Sequence, residues 1–232
     1  MRKFIVAAVA LWSVQALAAD APAMSAAEKA IYDRAIADYD ANLYAMSSKT
    51  AAARAKDLNA DPMTPVMGNP EGDVTIVEFF DYQCPYCKAV DPRLQQLLKD
   101  DPKIKLVSKE FPVLTPESVV ATRAALASVK QNKYAPYHHA MLAHKGRLTE
   151  ADIFRIAGEV GCDVERLRAD MKDPAIEKYI FDTMNLARSL RIAVVPGFIV
   201  NGKVLSGVLS KTETSKIDFP AEIAAARAKA GS

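Results

Sequence analysis

Cys84 and Cys87 stand with two residues between them in Phe79-Phe80-Asp81-Tyr82-Gln83-Cys84-Pro85-Tyr86-Cys87, at the end of a strongly apolar run. Two thiols at this spacing can close a small disulfide, supply half of a metal site, or sit apart as small buried hydrophobes. The neighbouring residues choose between these. Val74-Thr75-Ile76-Val77-Glu78-Phe79-Phe80 is β-branched and aromatic, and Gly72 and Asp73 punctuate its start, so it reads as a buried strand ending just before the cysteines. From Pro85 to Leu98, Ala89, Val90, Leu94, Leu97 and Leu98 recur near helical spacing, with proline where a first helical turn tolerates it. Cys84 then caps a helix. A thiolate there meets free backbone N–H groups and the positive end of the helix dipole, which lowers its pKa and makes it both nucleophile and leaving group. Cys87, one turn in, is the resolving thiol.

The elements that position this pair belong to a chain of 232 residues, half of them apolar, enough for one good-sized core or one domain carrying an inserted subdomain. Arg2 and Lys3 precede the apolar run Phe4 to Leu17, and Ala16-Leu17-Ala18 is a small-x-small cleavage signature, so residues 1–18 read as a secretory signal peptide. No later stretch approaches the roughly 18 uninterrupted apolar residues of a membrane span. Without Arg2 and Lys3, the 30 basic residues become 28 against 28 acidic ones, a balance that argues against nucleic acid as a partner. Export also puts the cysteines in an oxidising compartment, where a C-x-x-C is either catalytic or a poor structural staple, because it closes almost no loop.

From Ser25 to about Leu58 the chain is rich in alanine and charge, with Tyr32, Ile36, Tyr39, Leu43 and Met46 at alternating spacings of four and three. This heptad seam reads either as an amphipathic helix packed on its own domain or as a self-association helix, its stripe widened by Ile31 and Ala35. The segments 59–62 and 67–73 are dense in turn residues and read as a linker. After the strand and helix already described, Ile104 to Phe111 alternates and reads as a second strand, and strand, helix, strand implies parallel pairing. About 80 helical residues follow. Thr115-Pro116 opens the first helix, Tyr134 to Ala143 forms the second, Thr149 caps a third that Gly161 ends, Asp163 caps a short fourth, and Asp173-Pro174 opens a fifth. Strand character returns over Ile192–Val200, Asn201-Gly202 makes a two-residue hairpin turn into Lys203-Val204-Leu205, and an alanine-rich helix runs from beyond Thr212 to about Ala230. Pro196 cannot donate to a ladder, so it belongs at the strand's start or edge, compatibly with a cis Val195-Pro196 bond.

Three motifs, Glu78 to Cys87, Lys109-Glu110-Phe111-Pro112, and Val195-Pro196-Gly197-Phe198-Ile199-Val200-Asn201-Gly202, together with this order of elements, make the chain from about Asp61 to Ala230 resemble the DsbA family. The resemblance implies an α/β thioredoxin fold with an inserted helical subdomain and an N-terminal helical extension. Its parts would be a signal peptide (1–18), the extension (19–60), the first part of the fold (61–115), the insertion (116–190) and the second part with the last helix (191–232). It implies a periplasmic thiol-disulfide oxidoreductase without cofactor, exchanging disulfides with cysteine-containing secreted proteins. Glu78 would be the buried acid that relays the proton of Cys87, and Val195 with cis-Pro196 would line a substrate groove opposite Cys84, alongside Pro85 and Tyr86. An extended substrate would pair there as an added strand. Pro85-Tyr86 departs from the Pro-His of the strongly oxidising members, so direction stays open: an oxidase would be recharged by a DsbB-like membrane protein, an isomerase kept reduced by a DsbD-like one. Pro-Tyr and the long N-terminal helix look like the suppressor-of-copper-sensitivity C (ScsC) proteins, which implies a homo-oligomer.

Other readings compete. Cys84 and Cys87 could hold zinc with Cys162 or with His138, His139 or His144, but the histidines do not sit at zinc-finger spacing, and no metal site is assigned. The reduced thiols suit Cu(I), which fits copper tolerance. A groove that binds or chaperones without chemistry leaves the C-x-x-C unexplained. Cys162 reads as a buried thiol at a helix junction or as a regulatory disulfide partner, His138 and His139 as packed or solvent-facing, and Phe80 and Tyr82 as core or groove wall.

Overall fold

The computed structural model describes residues 24–59, 61–207 and 217–231. The expected signal peptide, and the expected start of the last helix beyond Thr212, lie outside the described residues. Among the described residues no helix is long and apolar enough to cross a membrane.

Chain contacts divide the protein into two compact units, residues 1–41 and 42–232. The described part of the first is helical. Helix α1 (Ala26–Ala53) starts there on a reciprocal cap, in which Ser25 Oγ accepts from the Glu28 amide and the Ser25 amide donates to the Glu28 carboxylate. The seam residues Ile31, Tyr32, Ile36 and Tyr39 are all exposed.

The second unit opens with the remainder of α1, where Ala51 is buried and Leu43 and Tyr44 pack against the core, and a short α2 (Ala55–Asn59). It then builds a five-stranded sheet from β1 (Val66–Gly68), β2 (Val74–Phe80), β3 (Ile104–Glu110), β4 (Gly197–Val200) and β5 (Lys203–Val204), in the order β1-β3-β2-β4-β5. β2 pairs parallel with β3 through the crossover helix α3 (Pro85–Asp100), and the other pairings are antiparallel. β2 is central, and all of its residues but Thr75 are buried, which is why its sequence is almost continuously apolar. Between β3 and β4 come α4 (Pro116–Ser128), α5 (Tyr134–Ala143), α6 (Glu150–Glu159), α7 (Val164–Asp170) and α8 (Pro174–Ser189), and α9 (Phe219–Ala230) closes the described chain. All of these but α5 start on a side-chain cap, Thr115, Thr149, Asp163, Asp173 or Asp218, each accepting a backbone N–H of the first turn. One contiguous core joins the sheet to the inserted helices, from Ile76 and Phe79 through Tyr137 and Ile153 to Leu167.

Two local expectations are corrected. The stretch 67–73, read as linker, contains most of β1, which adds a short antiparallel edge to β3. The last long strand begins at Gly197 rather than Ile192, because Ala193 and Val194 both donate to the Gly207 carbonyl, at 2.7 and 3.1 Å, and Pro196 has no N–H to give. In β3 the polar residues Ser108, Lys109 and Glu110 do not mark a solvated face: each is at most 1% exposed. Lys109 Nζ donates to Thr64 Oγ1 at 2.7 Å and to the Asp57 carbonyl at 2.9 Å, tying the segment before β1 to the sheet, and burial pushes its pKa down to about 8.

The loop before β4 depends on Gly207. Its φ is +99°, and a Cβ there would stand 2.7 Å from the Gly197 Cα and 3.2 Å from the Val194 carbonyl, so backbone must move to admit one. Gly207→Ala should therefore destabilise the protein by about 1–3 kcal/mol, read as a lower denaturation midpoint. An unchanged midpoint would contradict the tight approach.

Candidate active site

β2 ends at Phe80, and the next four residues turn the chain so that the Cys84 amide donates to the Asp81 carbonyl at 3.0 Å and Cys84 becomes the N-cap of α3. Its backbone is extended (φ −74°, ψ 118°), Pro85 takes the first turn, and the Cys87 amide donates to Cys84 Sγ at 3.4 Å. Across the site the Val195-Pro196 peptide is cis, and the Cys84 sulfur lies 3.5 Å from the Val195 carbonyl oxygen. Ser206 secures that loop: its hydroxyl accepts from the Phe198 amide at 3.1 Å and donates to the Pro196 carbonyl at 3.0 Å. Both cysteines are free thiols and both are buried, Cys87 completely. Pro85 is exposed, and Tyr86, Val113 and Leu114 leave 62%, 40% and 48% of their surface open around the site.

The two sulfurs have opposite electrostatics. Cys84 is pulled down to about 7, first by the hydrogen bond from the Cys87 thiol and then by the backbone amides of Cys87 and Tyr86, against the opposing cost of burial. Cys87 is pushed well up by burial, by the hydrogen bond its thiol donates to Cys84, and by the nearby charges of Cys84 and Glu78. Glu78 is 1% exposed, opposite Ser108 on β3 and Phe198 on β4, and its Oε1 has no hydrogen-bond partner. Burial, with the charges of Asp91, Cys84 and Glu110, raises its pKa well above the carboxylate range. Near neutrality the proton stays on Cys87 and Glu78 and leaves Cys84 most readily.

Other residues hold the geometry, and sequence reasoning gave them no role. The buried Asp81 carboxylate accepts from the amides of Gln83, Val113 and Leu114 and from Ser118 Oγ, all at 2.8–3.0 Å, tying the loop before Cys84 to the loop after β3 and to α4. Gln83 clamps the Leu148 backbone, donating to its carbonyl at 2.7 Å and accepting from its amide at 2.9 Å. Lys88 Nζ donates to the carbonyls of His144 and Gly146. The inserted helices are thereby fastened to both sides of Cys84. Glu110 lies deeper, accepting from Tyr82 and Tyr134 through Oε1 and from Thr122 through Oε2, with burial raising its pKa to about 8. Asp81 and Glu110 both lie in the motifs singled out above. Their local signal was consecutive polar residues beside an apolar strand, which a solvated turn would show equally.

Phe80 and Tyr82 are buried in edge-to-face contact, as core rather than chemistry. Cys162 is a buried thiol between α6 and α7, its pKa raised by burial. Among the described residues the metal-ligating atoms of Cys84 and Cys87 do not gather with those of Cys162 or a histidine, so the rival zinc site is not assembled. His138 is buried and His139 is partly exposed.

A thioredoxin-type sheet carrying two cysteines at a helix N-terminus opposite a cis-proline defines a thiol-disulfide oxidoreductase scaffold. The chain belongs to the DSBA-like thioredoxin domain family, whose model matches residues 75–214. It is 40% identical to a thioredoxin-like oxidoreductase from Silicibacter pomeroyi, with a TM-score of 0.68 over 75% of this chain and 97% of that one. ScsC of Proteus mirabilis, in a linker-deletion variant, shares the fold at 22% identity and a TM-score of 0.69, over 88% of this chain and 98% of that one. The chain is also 31% identical over 140 residues to the Na+/H+ antiporter NhaA 3 of Salinispora tropica, covering 60% of this chain but only 22% of that protein. It spans about a fifth of the length of the curated relatives it matches.

The thiolate absorbance of the reduced protein should rise with a midpoint near pH 7. Cys84→Ser should abolish that step, and Cys87→Ala, which removes the largest stabilising hydrogen bond, should move it upward. An unfolded thiol titrates at about 8.5, above the folded value. Cys84 ionisation therefore stabilises the reduced fold fully above that pH, and the contribution is lost as pH falls through about 7. A midpoint at the ordinary thiol value would contradict this electrostatic account.

Proposed function

We propose that this protein exchanges disulfides with cysteine-containing secreted proteins in the periplasm. One observation carries the reading: Cys84 caps a helix N-terminus, where the Cys87 amide donates to its sulfur, and faces the Val195 carbonyl before cis-Pro196, with Cys87 buried one turn behind it. In the reducing direction the Cys84 thiolate attacks a substrate disulfide, one substrate sulfur leaves as thiolate, and a mixed disulfide forms. Cys87 then loses its proton, attacks the Cys84 sulfur and expels the second substrate thiolate, so the substrate disulfide is reduced and the Cys84–Cys87 pair is oxidised. The oxidising direction is the reverse. Glu78 is the group that takes and passes on the Cys87 proton: it is buried, lacks a hydrogen-bond partner on one oxygen, and interacts with Cys87. An extended substrate would lie along Val195-Pro196, with the exposed Pro85, Tyr86, Val113 and Leu114 as an apolar rim.

The charged and apolar start of the chain, Arg2-Lys3 followed by Phe4 to Leu17, supports export. A membrane redox partner of DsbB-like or DsbD-like type would set the direction. The exposed apolar side chains of Ile31, Tyr32, Ile36 and Tyr39 favour self-association through α1, as an isomerase that holds several sites together would use.

In cells, Cys87→Ala should accumulate mixed disulfides with client proteins, and Cys84→Ala should not. Glu78→Gln should trap normally but resolve its mixed disulfides on the order of a hundredfold more slowly. Equal trapping by both cysteine variants would overturn the assignment of attacking and resolving thiols. For the helix, light scattering of the processed chain should give a multiple of the monomer mass, and replacing Ile31 and Ile36 by serine should return a monomer. A monomeric parent chain would remove the self-association reading.

A further inference from the structure

Beside the dithiol, Asp91 of α3 and His138 and His139 of α5 bring three metal-ligating atoms within 4.8 Å of one another, the only such trio of His, Cys, Asp or Glu among the described residues. Asp91 and His138 are 4% and 1% exposed, while the His139 side chain keeps 26% of its surface and connects the cluster to solvent. Asp91 Oδ1 stands 2.9 Å from His139 Nδ1 and 3.9 Å from His138 Nε2, and its Oδ2 accepts from Gln95 Nε2 at 2.7 Å. The first and last of these contacts are hydrogen bonds. The 3.9 Å gap is too long for one.

His138 is held from its far side. The Tyr82 and Tyr134 hydroxyls lie 2.9 and 3.0 Å from Glu110 Oε1. His138 Nδ1 lies 3.1 and 3.4 Å from those same hydroxyl oxygens, so Nδ1 is engaged by this network and Nε2 is the ring atom that faces Asp91. A buried imidazole nitrogen facing a buried carboxylate across 3.9 Å, with a second imidazole 2.9 Å from the same carboxylate oxygen, makes a place for a cation.

We propose that Asp91, His138 and His139 form a binding site for a divalent transition-metal ion of borderline softness, with Zn2+ as its type. Imidazole nitrogens and a carboxylate oxygen each stand about 2.0–2.2 Å from such an ion, so two ligands of a tetrahedral site lie about 3.3–3.6 Å apart. The 3.9 Å between Asp91 Oδ1 and His138 Nε2 is slightly wider than that, and the 2.9 Å between Asp91 Oδ1 and His139 Nδ1 slightly narrower. Rotation of the partly exposed His139, once its ring proton moves from Nδ1 to Nε2, brings the three ligand atoms, already within 4.8 Å of one another, to that spacing. Tyr82, Tyr134 and Glu110 supply the outer shell that holds the His138 ring, and Gln95 orients Asp91. Two imidazoles and one carboxylate suit Zn2+, Ni2+ or Cu2+ better than Mg2+, Ca2+ or Cu(I). The site contains no sulfur and is separate from any metal held by the reduced thiols.

The test uses full-length, tag-free protein with Cys84 and Cys87 held as their disulfide, so that this thiol pair is not offered to metal. Calorimetric titration with Zn2+ should show one equivalent bound. Co2+ in its place should give visible ligand-field bands without thiolate-to-cobalt charge transfer. His139→Gln, at a partly exposed position, should keep the wild-type melting curve and weaken binding at least tenfold. Asp91→Asn should do the same for binding, and His144→Gln, whose imidazole lies 3.9 Å from Asp152, should leave it unchanged. Absence of saturable Zn2+ binding, equal affinity in His139→Gln, or thiolate charge-transfer bands with Co2+ would each overturn the proposal.

Discussion

A sulfur that must carry negative charge in a nearly dry site needs donors that are already in place, and the first turn of α3 supplies them. The Cys87 amide reaches Cys84 Sγ only because Cys84 is extended at the N-cap and Pro85 starts the helix directly behind it. Much of what surrounds the site preserves that one geometry. Asp81 gathers donors from its own turn, from the loop after β3 and from α4, Gln83 and Lys88 hold the loop between α5 and α6, and Ser206 and Gly207 hold the loop that presents Val195. The inserted helices are therefore part of the redox site's support rather than an appendage to it.

Two identical functional groups are made different by their places on one helix turn. Cys84 meets N–H donors at the helix end, whereas Cys87 lies one turn further in, where burial and the neighbouring charges disfavour a second anion. The acids follow the same logic. Glu78 and Glu110 are both buried and both raised, but Glu110 has three hydroxyl donors to moderate the cost, while one oxygen of Glu78 has none. That asymmetry suits Glu110 to organising Tyr82, Tyr134 and His138, and it leaves Glu78 as the more responsive of the two to a change of charge at the thiols. A buried ring of polar groups is thus divided between a static network and a titrating one.

Fold and chemistry are supported to different depths by the relatives. The family model covers residues 75–214, which hold the dithiol, the insertion and the sheet apart from its β1 edge, and those are the parts whose geometry explains thiol exchange. Likeness to ScsC at 22% identity establishes a common fold, and the helix α1 has to be argued on its own exposed side chains. The antiporter relatives match the chain over about a fifth of their length.

Local signals were legible wherever the physics is local. Cys84 before Pro85, Thr115 before Pro116, Thr149, Asp163 and Asp173 each announce a helix start, because a cap satisfies N–H groups within its own first turn, and Asn201-Gly202 announces a hairpin for the same short-range reason. The three motifs and the order of elements were enough to place the chain in its family, and that resemblance added Glu78 and Pro196 to the cysteine pair. Tertiary structure decided the rest. Whether Ser108, Lys109 and Glu110 face water or a second layer depends on α4, α5 and α8 arriving from elsewhere in the chain, and a strand covered on both faces loses the alternation that would reveal it. The early end of the last long strand follows from a carbonyl at Gly207, and the meeting of Asp91 with His138 and His139 brings together residues almost fifty positions apart. No periodicity carries such information, because it lives in contacts between elements rather than within them.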